Sequence, residues 1–74
     1  MAVDTKYGRV TVERGKLPEE EPVFLFRGQD RLAPQVVRYY ADLVEQETGN
    51  HAFAEAVRAE AQRLEAWPVK KLPD

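Results

Sequence analysis

The chain's 74 residues suffice for one domain, and a chain this short buries only about 60% of the surface its unfolded form exposes, so its stability alone is marginal. It has no Cys and a single His, His51, which excludes disulfides, thiolate metal sites and a His-rich metal centre, and leaves association with another chain as the expected stabiliser. With 13 acidic against 11 basic residues the net charge is −2, and the only adjacent basic pair is Lys70-Lys71, so nucleic-acid binding is disfavoured.

The first residues lack the apolar segment of a signal peptide, and no apolar run approaches the ~20 residues of a membrane span. Together with the missing Cys, this reads as a soluble cytoplasmic chain with no membrane partner.

Residues 1–5 carry no pattern and are expected to fray, as an extended or flexible tail. Residues 6–14 read as a strand, with Val10 and Val12 on one side and Arg9, Thr11 and Glu13 on the other. Gly15 to Pro22 is a connection in which Glu19-Glu20-Glu21 is a solvated run. Residues 23–27 read as a second strand whose four successive apolar side chains call for cover on both faces. Asp30 is placed to cap the next helix, with a short turn at 30–33 and the helix running from Pro34 to about residue 48. Val36, Val37, Tyr40, Ala41, Leu43 and Val44 form its apolar stripe, and Gly49 fits the left-handed residue that closes it.

Asn50 caps a second helix over about 51–67, with Phe53, Ala56, Val57, Ala61 or Glu60, Leu64 and Trp67 on its inner face. Glu55 with Arg58 and Glu60 with Arg63 are outer i,i+3 pairs, and Pro68 ends the helix. Residues 69–74 read as an extended or flexible tail. The expected architecture is a single α+β domain over 1–74. An antiparallel β-hairpin is followed by an antiparallel two-helix hairpin (ββαα), and the chain dimerises through the sheet. Two helices cover one face of two strands, so Phe24, Phe26 and Trp67 are expected at the interface of a homo-oligomer.

The chain has no Ser and no Cys, so a Ser or Cys catalytic triad is excluded, and its isolated glycines form no phosphate loop. His51 at a helix start reads as a solvated residue rather than a general base. No catalytic residue, metal site or cofactor is expected. The segment with chemical content is Arg27-Gly28-Gln29-Asp30-Arg31, at a strand-to-helix junction where amides point outward. Arg38 shares the helix face of Arg31, with Gln35 between, and Tyr39 flanks the stripe. Arg27, Gly28, Gln29, Arg31, Arg38 and Tyr39 therefore outline a pocket for a small anionic, nucleotide-like ligand, since Arg forks suit phosphate and aromatic rings suit bases. The plainer reading of the same stripe is a solvated helix face on which Arg38 pairs with Asp42.

The run V-F-L-F-R-G-Q-D-R-L-A-P at 23–34, followed by Tyr39-Tyr40, resembles that of small uncharacterised proteins of phages and bacteria. Those carry an apolar strand, an Arg, then Q-D and L-A, and the closing K-L-P-D is similar to theirs, so the likeness spans 7–74. It implies no firm activity; phage proteins of this size are often inhibitors, adaptors or traps for signalling nucleotides, which makes an accessory, anti-defence role one expectation. The first expectation is an accessory protein that sequesters a nucleotide-like anion; the alternative is an adaptor or inhibitor that contacts a protein partner through aromatic surface and the C-terminal tail.

Overall fold

The computed structural model describes residues 2–4 and 6–73. In chain order the elements are β1 (Ala2–Asp4), β2 (Gly8–Val10), β3 (Pro22–Val23), α1 (Ala33–Thr48) and α2 (His51–Ala66).

Both helices form where their local signals lie. Gly49 closes α1 at φ 69°, its amide donating to the Glu45 carbonyl at 3.0 Å. Asn50 opens α2, its side-chain oxygen accepting from the Phe53 amide at 3.0 Å. Asp30 does not cap α1. Its carboxylate accepts from the Leu32 amide at 2.8 Å within the preceding turn, and Leu32 takes the cap position without a side-chain bond.

The helices pack antiparallel, and their contact is made of small residues: Ala33, Ala41, Ala54 and Ala61 are fully buried and Val44 nearly so. Alanine brings the backbones close and leaves room for only a narrow seam. The sequence expectation of one broad stripe is therefore corrected. Val37 and Val57 are half-buried, but Val36, Tyr40 and Leu43 on α1 and Phe53 on α2 remain exposed, Tyr40 at 53%.

The strands differ more from expectation. The sheet has order β2-β1-β3, with β1 antiparallel to β2 (Asp4 opposite Gly8) and parallel to β3 (Asp4 opposite Val23). The expected hairpin between 6–14 and 23–27 does not form. Lys6 and Tyr7 are turn residues, Gly8 at φ 81° supplies the left-handed corner, and the segment expected to fray contributes the central strand. β3 stops at Val23 because the Leu25 amide donates to the Asp4 carboxylate instead of a ladder carbonyl. The sheet lays no broad layer on the helices among the described residues.

The C-terminal segment is extended but not loose. Lys71 donates to the Gln29 carbonyl at 2.8 Å and its own carbonyl accepts from the Arg31 amide at 3.0 Å, a parallel bridge that straps the chain end onto the 27–31 loop.

Candidate functional site

Asp4 organises one end of the molecule. It is 2% exposed, yet both of its carboxylate oxygens find backbone donors. Oδ1 accepts from the Lys6 amide at 2.8 Å and the Tyr7 amide at 2.9 Å, and Oδ2 from the Leu25 amide at 2.7 Å. These bonds, the Tyr7 amide foremost, hold its pKa below the ordinary aspartate value against the opposing pull of desolvation, with the Lys6 charge assisting. One buried carboxylate thus ties the β1–β2 turn to the 24–27 segment. The sequence reading passed over Asp4; the turn pattern of an Asp with Gly four residues on was the available signal.

Around Asp4 lies a cleft of about 80 Å³, walled by Tyr7, Phe24, Leu25 and Leu72 with Arg27 and Gln29 at its edge. Phe24 meets Phe26 edge-on at 5.1 Å between centroids, and Phe24 is 72% exposed. The Arg27 guanidinium lies 5.8 Å from the Tyr7 ring centre and the Lys6 ammonium 5.7 Å, so two cations stand over one aromatic ring.

The strap joins this cleft to the helix ends. The Lys70 ammonium donates to the Gly28 carbonyl at 2.9 Å and to the Leu64 carbonyl at 2.6 Å, in the last turn of α2, where the Leu64 oxygen also accepts from the Trp67 amide at 3.3 Å. Trp67, just past α2, rests on Gly28. A Cβ on residue 28 would stand 2.9 Å from Trp67 Cβ and 3.0 Å from its Cγ. Gly28 therefore serves close packing against Trp67, a residue that is nonetheless 55% exposed.

The sequence-predicted ligand residues are divided among different surfaces. Arg27 and Gln29 border the small cleft, and Gly28 lies beneath Trp67. Arg31 and Arg38 border an open depression of about 660 Å³ together with Gln35, Glu65 and Lys70. Tyr39, at 65% exposure, lines none of these concavities. Arg38 is not paired with Asp42. It grips Glu65 of α2 with both guanidinium nitrogens, at 2.9 and 3.2 Å, raising its own pKa and lowering that of Glu65. Asp42 pairs instead with Arg58 at 2.9 Å, and Glu45 pairs with Arg58 at 2.7 Å and with His51. The His51 hydrogen bond, then Arg58, holds Glu45 below the usual carboxylate range. His51 is exposed; the Glu55–Arg58 and Glu60–Arg63 pairs form within α2, whereas Arg38–Glu65, Asp42–Arg58, Glu45–Arg58 and Glu45–His51 link the two helices.

Among the described residues no group of three or more His, Asp or Glu side chains is placed to hold a metal ion, and no helix is long and apolar enough to cross a membrane. No family model matches the chain, and no curated protein or solved structure matches it.

Proposed function

We propose that this chain is a non-enzymatic, homo-oligomeric binding module that acts in the cytoplasm as an adaptor or inhibitor, gripping an apolar anchor of another protein at the Tyr7–Phe24–Leu72 cleft. The observation that carries this reading is the exposure of Phe24 on a segment that cannot move freely. Its neighbour Leu25 is tied to Asp4, its ring abuts Phe26, and Leu72 opposite sits on the hydrogen-bonded strap. An aromatic side chain held rigid in water costs little further ordering on binding, which suits an anchor of a protein interface. A volume near 80 Å³ accepts one side chain, well below the roughly 300–1,000 Å³ of small-molecule sites. Lys6 and Arg27 beside Tyr7 favour a partner whose anchor is flanked by acidic residues.

Phe24→Ser and Leu72→Ser chains retain parental helicity and lose a stoichiometric protein that the parent co-purifies from its native cells. Equal recovery by parent and variants overturns the reading.

A second reading is sequestration of a small anionic, nucleotide-like ligand by Arg27, Gly28, Gln29, Arg31, Arg38 and Tyr39. The one observation in its favour is that Arg31, Arg38 and Lys70 border a single depression. It requires Arg38 to exchange Glu65 for phosphate, so nucleotides raise the melting temperature of Glu65→Gln more than that of the parent. Absence of any shift across linear and cyclic nucleotides removes it.

A further inference from the structure

The helix pair carries an apolar seam that none of the described residues covers. Leu32, Val36, Tyr39 and Leu43 recur at intervals of four, three and four residues, the spacing of a helix–helix seam. All four are exposed, Tyr39 most, and Tyr40 lies alongside. Val37, Ala41 and Val44 repeat the same spacing on the other side of α1, where α2 packs. Thus α1 presents two seams and has one partner.

The surface area is that of an unfinished body. The chain exposes 5974 Å². A self-sufficient monomer of 8.5 kDa exposes about 4,700 Å², so the excess is about 1,300 Å². A standard protein–protein contact removes about 800 Å² from each partner, which this excess supplies. The molecule is also a slab, 31 × 30 × 19 Å, with a radius of gyration of 13.6 Å against about 11 Å for a compact chain of this length.

Charge selects the occupant. Arg38, Asp42, Glu45, Arg58 and Glu65 are engaged in the α1–α2 ion pairs, which leaves the seam neutral. Arg31 stands near its N-terminal end and Glu47 near its C-terminal end, neither with an ion-pair partner among the described residues. A second copy laid antiparallel brings Arg31 of one chain beside Glu47 of the partner subunit, whereas a parallel copy sets like charges together. The antiparallel register also sets Val36 against Tyr39 of the partner subunit and Leu32 against the partner's Leu43, a self-complementary two-fold contact.

We propose that α1 packs on α1 of a second copy along Leu32, Val36, Tyr39 and Leu43, antiparallel about a two-fold axis, to make a four-helix dimer. This interface rests on the homo-oligomeric part of the reading above and not on its cleft: a monomeric parent overturns the former, whereas the Phe24→Ser and Leu72→Ser recoveries test the latter.

The experiment is sedimentation equilibrium of the full chain with variants. The parent weighs about 17 kDa, twice the 8.5 kDa of one chain. Tyr39→Glu, on a side chain already in water, weighs half as much with unchanged helicity by circular dichroism, and Phe24→Ser stays dimeric. A parent that remains monomeric at high micromolar concentration overturns the proposal, as does a dimer that survives Tyr39→Glu. The natural lack of Cys permits a second measurement. Leu32→Cys and Leu43→Cys chains cross-link when mixed and not when alone, because the antiparallel register sets residue 32 against 43 and leaves each about 16 Å along the axis from its own copy. Cross-linking of each alone with itself, and none on mixing, overturns the antiparallel arrangement.

Discussion

Replacing Gly28 with Ala tests how the strap is seated. The new Cβ would lie 2.9 Å from Trp67 Cβ and 3.0 Å from Cγ. Carbon atoms rest at about 3.5–4.0 Å, so the two segments must separate by roughly 0.6–1 Å. Neither atom is the end of a flexible side chain, so the relief moves backbone, and overpacking of this kind costs about 1–3 kcal/mol. Stiffening of the unfolded chain offsets roughly 0.4–1 kcal/mol of it, leaving a net loss centred on about 1.3 kcal/mol. At about 4–8 °C per kcal/mol for a domain of this size, the melting temperature falls by about 5–10 °C. Circular dichroism follows the helices, and fluorescence follows Trp67, the only tryptophan, whose emission shifts red as the indole lifts from residue 28. A melting temperature equal to the parent's, with unmoved emission, refutes the claim that Gly28 is needed for this contact.

Four further outcomes follow from the same geometry. Asp4→Asn lowers the melting temperature, because the amide nitrogen must face either the Leu25 amide or the Lys6 and Tyr7 amides, donor against donor; a melt identical to the parent's would show that the carboxylate is dispensable. Acid weakens the parent in a defined direction. Asp4, Glu45 and Glu65 have folded pKa values below their ordinary ones, so their contribution is fully present at neutral pH. It is lost as pH falls through about 4.3–3.9 and on through the lowered folded values, and denaturant midpoints measured from pH 7 to pH 3 decline only in that lower range. Asn50→Ala removes the α2 cap and costs about 1 kcal/mol by urea denaturation, while Lys70→Ala speeds hydrogen exchange of the Arg31 and Lys71 amides without altering the helices; unchanged exchange would mean that the strap does not depend on Lys70.

The two helices were legible in the chain because their signals are local. Gly49 and Asn50 mark the boundary between them within two residues, and the apolar repeat on either side needs no knowledge of the rest. The strands were not, because none is long enough to show a period: β3 is two residues and exists through pairing with β1, while Asp4 captures an amide 21 residues away. The candidate ligand site failed to assemble for a related reason. A helical repeat places Arg38 and Asp42 side by side, but α2 offers Arg38 a carboxylate in fork geometry and offers Asp42 a guanidinium, and both accept the partner across the hairpin.

What the sequence determined by itself is therefore the α-hairpin, its closing glycine and its opening asparagine. Only the tertiary structure decided which apolar residues go inside. Alanine at the helix contact draws the backbones together and admits small side chains, so the larger Val36, Tyr39 and Leu43 are left on the outer face of α1. It likewise decided that Gly28 serves Trp67 and that a buried Asp4, rather than a longer ladder, joins the strands to the loop. Each of these depends on the distance between segments far apart in the chain, which spacing along it does not encode.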